Sequence, residues 1–385
     1  MRVVFFSECY QPIHNGVVAS IDAAVRGLAA QGVETIIVAP RYRRFHDDNH
    51  HVIRVPSFTF PVRPRYPIAL PFARTWERRL AGEAVDLVHT HHPMSLGRAG
   101  VQFARARGVP AVYTYHTPIE EYSHYLPLPR AWVRERARAL TREHAESVAC
   151  VIAPSASAAE ALRALGVRTR IEVIPSGVDL RAADGARQAP LRAEEGLPLD
   201  EPVLMYVGRL GREKNIALLL EVVAHLTPRT PLHLAVVGGG ALRETLHLRA
   251  RQLGIRECVH FLGGRPHGAV LRLLAGADVF VSASTTETQG LALLEAMSVG
   301  VPVVAVDGPG VRETVGDSLA GILVPNAVDA FAEALDALLH DPPRRAVMAG
   351  AARARAGEFS EERMGERLYH LYRELLGRTA PARLL

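Results

Sequence analysis

Gly276–Ala305 reads GADVFVSASTTETQGLALLEAMSVGVPVVA. Its start, Val279–Ser282, is a short β-branched and aromatic run. Leu291–Val299 carries apolar residues on a helical period, and Val301–Ala305 is a second short apolar run. Strand, helix, strand is one βαβ unit. The strands are apolar at consecutive positions instead of alternate ones, as expected when both sheet faces are buried under helices. The polar stretch Thr285–Gly290 follows the first strand. It therefore sits at that strand's carboxyl end, where open parallel sheets bind ligands.

The same alternation runs along the chain. In the first half it predicts strands at Val3–Phe6, Thr35–Ala39, Val52–Val55, Leu87–Thr90, Ala111–Tyr115, Cys150–Ala153 and Ile171–Ile174, with helices at Val17–Ala30, Leu96–Arg107 and Trp132–Ser147. In the second half it predicts strands at Val203–Val207, Leu232–Val237, Val259–Leu262, Val279–Ser282, Val301–Ala305 and Gly321–Val324. Helices there are expected at Ile216–Leu226, Leu242–Leu253, Ala269–Ala275, Leu291–Val299 and Ala327–Leu339. Arg181–Glu201, RAADGARQAPLRAEEGLPLDE, is rich in Ala, Pro, Gly and charge and has no apolar stripe, so it reads as a linker between two α/β halves. The expected class is α/β, with two Rossmann-like domains facing each other across a cleft that holds the active site.

Composition narrows the function. The chain has 385 residues, 48% hydrophobic and 22% charged, enough for two sizeable cores. A net charge of +5 is too mild to make nucleic acid the expected partner. The three cysteines form no C-x-x-C pair, which argues against a disulfide framework or a cysteine zinc site. No apolar stretch reaches 18 residues. The opening MRVVFFSECYQPIHNG carries too short an apolar run for a signal peptide. Lys214 is the single lysine, against 44 arginines. Codon bias explains the ratio, but a lone ammonium also suits a site that needs a compact point charge.

Glu287 and Glu295 stand eight positions apart, about 12 Å if the segment were helical throughout. A carboxylate pair acting on one glycosidic bond sits about 5–9.5 Å apart. These two are better placed to hold the ends of an elongated ligand, with a phosphate at the helix start near Gly290 and Leu291. The plain alternative is a solvated helix face. Arg209 and Lys214, in YVGRLGREKN after a strand, are suited to clamp a diphosphate; the plain alternative is a solvated loop. Gly16, in HNGVV before the first helix, lets backbone approach a ligand. His116, in TYHTP, lies just past a strand end and is placed to hydrogen-bond a substrate hydroxyl. His89, His91 and His92 lack companion carboxylates, so they read as structural or cleft-lining and no metal is expected. VVGGGALRE has Arg243 where a dinucleotide loop needs Gly, and no P-loop or G-x-S-x-G elbow occurs.

Taken together, the E-x7-E segment from Glu287 to Glu295, GRLGREKN, FLGG (Phe261–Gly264), GADVFVSAS and IPSGVD (Ile174–Asp179) resemble the family 4 retaining glycosyltransferases of GT-B fold. TTETQGL, YHTPIEEYSHYLP and SECYQPIHNGVVAS are most similar to bacterial diacylglycerol glucosyltransferases. The chain departs from the family in having Thr288-Gln289 where Gly-Phe is common and Ser176 where Asn is common, and both departures bear on donor-sugar identity.

The resemblance implies an N-terminal acceptor-binding domain over 1–184 and a nucleotide-sugar-binding domain over 185–365. The C-terminal helix, 366–385, would cross back to the first domain. Catalytic roles fall on His116, Arg209, Lys214 and Glu287. Donor binding falls on Gly16, Arg209, Lys214, Gly263, Arg265, Glu287, Gly290, Leu291 and Glu295. Glu287 would contact the donor hexose and Glu295 the ribose. The two cations would neutralise the leaving diphosphate, His116 would hold the transferred sugar, and Gly263–Arg265 would lie near the base. The expected donor is a UDP- or GDP-hexose such as UDP-glucose, with no separate cofactor and no metal. The reaction would serve glycolipid biosynthesis with a lipid acceptor such as diacylglycerol. The alternative is a soluble acceptor such as an inositol or a sugar phosphate.

Charge distribution fits a membrane acceptor, or equally a solvated helix face beside a proline-rich loop. Residues 1–185 carry 23 Arg against 17 acids. Nine Arg against three acids fall in Arg41–Arg79, interleaved with Tyr42, Phe45, Phe58, Phe60, Tyr66, Phe72 and Trp76, and Arg130–Arg142 holds five more. The expected location is cytoplasmic, peripheral on the inner face of the plasma membrane, with anionic lipid as a partner.

Overall fold

A computed structural model describes residues 1–43, 45, 47, 51–59, 67–70, 75–121, 128–317 and 319–379. Its first sheet is built from β1 (Arg2–Phe6), β2 (Glu34–Pro40), β3 (Val52–Val55), β6 (Leu87–Thr90), β7 (Ala111–Thr114), β8 (Cys150–Ala153) and β9 (Ile171–Val173), with a separate antiparallel pair, β4 (Ser57–Thr59) and β5 (Pro67–Ala69). The order is β3-β2-β1-β6-β7-β8-β9 and every pairing within the sheet is parallel. The chain reverses its direction of travel across the sheet between β1 and β6, which opens a crevice at their carboxyl ends. Val3 to Phe6 are fully buried, as a strand covered on both faces requires.

The Gly16–Ala30 helix starts at Asn15, whose side chain accepts from Val18 N at 2.9 Å. It packs against the Glu361–Thr379 helix, whose Met364, Leu368, Leu371, Tyr372 and Leu375 form one buried helical stripe beside Ile21, Ala24 and Leu28. The two helices cross at Gly27 and Gly365. A Cβ on Gly27 would stand 2.9 Å from Gly365 Cα, so neither position has room for a side chain.

The second sheet holds β10 (Val203–Val207), β11 (His233–Val237), β12 (Val259–Gly263), β13 (Val279–Ser282), β14 (Val303–Val306) and β15 (Gly321–Val324). Its order, β12-β11-β10-β13-β14-β15, is again all parallel, with the switch between β10 and β13. Residues 276–306 hold the β13–helix–β14 unit, and its helix spans Leu291–Ser298.

The chain divides into Met1–Gly177 with Glu361–Leu385, and Val178–Ser360. These divisions differ from the expected ones after residues 184 and 365. The expected linker is not a linker. Asp179 caps a helix over Leu180–Gln188, and Ala183, Ala186, Leu191 and Leu197 enter the core of the second unit with Leu271 and Leu274. Arg192 then ties the segment down through Asp278 at 3.0 Å and the Gly276 carbonyl at 3.3 Å. Small alanines bury without an obvious apolar stripe, which is why the stretch reads as loop. No described helix is long and apolar enough to cross a membrane.

Candidate active site

The loop after β10 runs through Arg209 to a single turn of 3-10 helix, Arg212–Lys214, and Asn215 in the left-handed region at φ 48°. That turn brings Lys214 back toward the sheet. The loop after β13 presents Glu287, and Lys214 Nζ donates to Glu287 Oε1 at 2.5 Å. The two sequence-predicted residues thus meet at the switch point of the second sheet. Burial alone would raise the Glu287 carboxyl. The charge and hydrogen bond of Lys214, a hydrogen bond from Ser284 and the charge of Arg209 together hold it below the usual carboxylate range. Arg209 Nη2 is fixed by Glu213 Oε1 at 2.8 Å, and the Glu213 side chain is only 3% exposed. The result is two fixed cations, Arg209 and Lys214, each paired with its own carboxylate.

Gly290 adopts φ +88° and opens the Leu291–Ser298 helix without a side-chain cap. Glu287 therefore lies outside that helix, and the spacing computed for a continuous helix does not apply. Glu295 is on the helix, with Oε1 3.0 Å from His267 Nε2. Gly310, on the Pro309–Val315 helix, backs the loop so closely that a Cβ there would overlap the Glu287 carbonyl. Thr314 Oγ1 donates to the Gln289 carbonyl. Glu213, His267 and Gly310 were not singled out from the sequence. Glu213 is adjacent to Lys214 in the motif, but the other two come from segments with no motif of their own.

The VVGGG run is explained by close packing of loops. A Cβ on Gly238 would overlap the Gly208 carbonyl, and Leu210 N donates to Gly239 O at 2.9 Å. Gly263, at φ +73°, accepts from Gly238 N at 2.9 Å. Arg265 is gripped by Glu195 through Nε at 3.1 Å and Nη2 at 2.7 Å, a fork from the supposed linker.

In the first unit the carboxyl ends of β1, β6 and β7 gather another group. Gly16 is the first residue of its helix, next to the Asn15 cap. Glu8 caps the Ser95–Arg107 helix, accepting from Leu96 N at 2.5 Å and Ser95 Oγ at 3.0 Å. His89 stacks on His91, with centroids 4.3 Å apart, and the His116 ring lies end-on to His91 at 5.2 Å. His91 Nδ1 lies 2.9 Å from His116 Nε2. His89 Nδ1 meets the Tyr372 hydroxyl at 2.7 Å and Nε2 meets Thr114 Oγ1 at 2.6 Å. Burial pushes His89 down to about 3 and His92 to about 4, and holds His91 and His116 well below the ordinary imidazole value. Among the described residues no group of three or more ligand-type side chains is arranged to hold a metal ion.

The described aromatic side chains of Arg41–Arg79 do not form one surface. Trp76 is buried, edge-on to Phe6 and Phe103. Tyr42 and Phe45 cover Arg54, which pairs with Asp47. Phe58 is exposed, while Phe60, Tyr66 and Phe72 lie outside the described residues, as do residues 122–127 of the YHTPIEEYSHYLP stretch. Five arginines against two glutamates do occur on the Arg130–Ala145 helix, which buries only Val133, Thr141, His144 and Ala145 and leaves Trp132 60% exposed.

Residues 188–355 match the family Glycosyl transferases group 1, and residues 14–182 match Glycosyltransferase Family 4. A GDP-mannose-dependent alpha-mannosyltransferase of Mycobacterium tuberculosis is 32% identical over 92% of this chain and 91% of its own length. The chain belongs to these glycosyltransferase families. This hexosyltransferase is also 29% identical to an alpha-monoglucosyldiacylglycerol synthase of Streptococcus pneumoniae, over 98% of the chain and 84% of that protein. A D-inositol 3-phosphate glycosyltransferase of Xylanimonas cellulosilytica is 33% identical over 77% of the chain and 74% of its own length. Among solved structures, sucrose-phosphate synthase from Thermosynechococcus elongatus matches with a TM-score of 0.82 at 25% identity, covering 98% of this chain and 99% of that one. The fold of the glycosyltransferase is GT-B, with two Rossmann-like domains.

Proposed function

We propose that this glycosyltransferase moves a hexose from a nucleotide sugar to a membrane lipid acceptor such as diacylglycerol, with retention of anomeric configuration. The observation that carries the donor half is the Lys214–Glu287 pair at the β10/β13 switch point, beside Arg209 and the uncapped helix start at Gly290. Lys214, Arg209 and the N–H groups at Gly290–Leu291 bind the diphosphate. They oppose its charge as the bond from the sugar carbon to the phosphate oxygen breaks. Glu287 takes hexose hydroxyls and Glu295 the ribose. Gly263 lies beside the base, and Arg265, held by Glu195, shapes that edge. In the first unit Gly16 backbone serves the phosphates and His116 the transferred sugar. In the same-face scheme that the family resemblance implies, the acceptor oxygen forms the new bond and its proton passes to a donor phosphate oxygen. Neither a metal nor a separate cofactor enters that scheme.

The lipid half draws on the monoglucosyldiacylglycerol synthase relative and on the exposed basic Arg130–Ala145 helix with Trp132. Anionic headgroups attract such a helix, and an indole sits well at the interface. In this reading the enzyme works on the cytoplasmic face of a membrane. A soluble acceptor is the second reading, favoured by the inositol-phosphate relative at 33% identity. Melting curves with UDP-glucose and GDP-mannose, followed by product analysis with diacylglycerol in anionic vesicles, test the proposal. A donor that binds only the native state raises Tm. No shift with either nucleotide sugar would remove the donor assignment. Transfer to an inositol phosphate with none to lipid would select the second reading.

A further inference from the structure

We infer that His91 is a positioning residue that holds His116 in one tautomer, with the proton on Nδ1 and the lone pair on Nε2. This inference rests on the role given to His116 above. The two rings are joined Nδ1 to Nε2 at 2.9 Å, so one proton is shared between two nitrogens and one ring must be the donor.

The far nitrogen of His91 decides which. His91 is 3% exposed, and its Nε2 is buried with no hydrogen-bond partner among the described residues. If His91 carried its proton on Nε2, a buried N–H would be left without an acceptor, which folded proteins rarely tolerate. If it carries the proton on Nδ1, Nε2 presents only a lone pair, and the one N–H is used on His116. His116 Nε2 is then an acceptor and its proton is on Nδ1.

The surroundings keep His91 neutral and its ring fixed. Phe5 packs against it at 4.9 Å between centroids, and His89 stacks on it at 4.3 Å. Burial chiefly disfavours an imidazolium at His91, and the ionisable neighbours that act on its charge, His89, His116 and His92, add to this. His89 is itself held at both nitrogens, by Tyr372 and Thr114. His116 thus acts toward a sugar as a neutral N–H donor with a fixed ring, and it is not a proton carrier in the reaction.

Two variants separate position from packing. In His91→Asn the side-chain amide can replace the Nδ1 donor, whereas His91→Leu fills the space with no donor. Nitrogen-15 spectra of histidine-labelled protein, with the His116 signals assigned by their loss in His116→Gln, read the tautomer directly and need no substrate. The expected result is protonated Nδ1 and bare Nε2 at His116 in wild type and His91→Asn, and a changed or mixed tautomer in His91→Leu. Turnover is followed by nucleoside diphosphate release from whichever of UDP-glucose and GDP-mannose shifts Tm. His91→Leu should lose about tenfold to a hundredfold in kcat with little change in donor KM, and His91→Asn should recover most of it. Protonated Nε2 at His116 in wild type, or an unchanged tautomer in a folded His91→Leu, overturns the inference. A fully active His116→Gln overturns instead the role of His116 in the proposed function, whatever the spectra show.

Discussion

Lys214 is the one lysine of the chain, and its ammonium is half-buried against Glu287. A compact charge fits there because Arg209 already supplies the planar cation, anchored by Glu213. Lys214→Ala leaves Glu287 partly buried without its strongest counter-charge, so both function and stability fall. The loss of kcat should dominate, at about 10²–10³-fold, because the ammonium acts where charge develops. Equal fractional losses of Tm and activity would count against the assignment. The composition offers a second check. An amine-acylating reagent has only Lys214 and the α-amino group to modify, so inactivation should track a single mass increment on the peptide holding Lys214. A bound nucleotide sugar should slow that reaction, and labelling unaffected by donor would argue that the diphosphate lies elsewhere. The residue pattern made Lys214 and Glu287 legible as separate candidates. It did not show that they touch, because that contact depends on the parallel pairing of β10 with β13.

At the scale of elements, strands buried on both faces were readable, because a short run such as Val203–Val207 needs no partner to betray it. The β4–β5 pair and the Leu180–Gln188 helix were not. The pair is three residues per strand, and the helix buries alanines, so neither leaves a periodic signal. One helix contact and one group of buried histidines give predictions. Gly310→Ala forces the Pro309–Val315 helix off the Glu287 loop and should lower kcat/KM at least about tenfold through misplacement of the carboxylate. Steady-state kinetics matching wild type would show that the loop tolerates the shift. The histidines around β6 set a pH limit. His89, His92 and His144 are buried neutral, with values lowered to about 3, 4 and 4. The unfolded chain binds protons at these sites below about pH 6.5 while the folded chain does not. Stability is therefore full above about 6.5 and falls as pH drops from there toward 4. Denaturant midpoints flat across that window would contradict the burial of these rings.

For the whole molecule, two units with separate sheets imply separate tasks. A nucleotide sugar should slow amide exchange in the loops after β10 and β13, within Val178–Ser360. The Arg130–Ala145 helix belongs to the other unit, and there Trp132→Ala combined with Arg134→Glu should weaken flotation with anionic vesicles without lowering Tm. Retained flotation would move the membrane contact away from this helix. The division into two halves was legible from repeated βα alternation, but its position was not, since the segment joining them folds into the second unit. The most direct test of the central claim is a crystal soaked with UDP-glucose or GDP-mannose. The account predicts a diphosphate within hydrogen-bonding distance of Lys214 Nζ and Arg209, with the Glu287 carboxylate on hexose hydroxyls. A nucleotide sugar bound with its diphosphate away from both cations would contradict it.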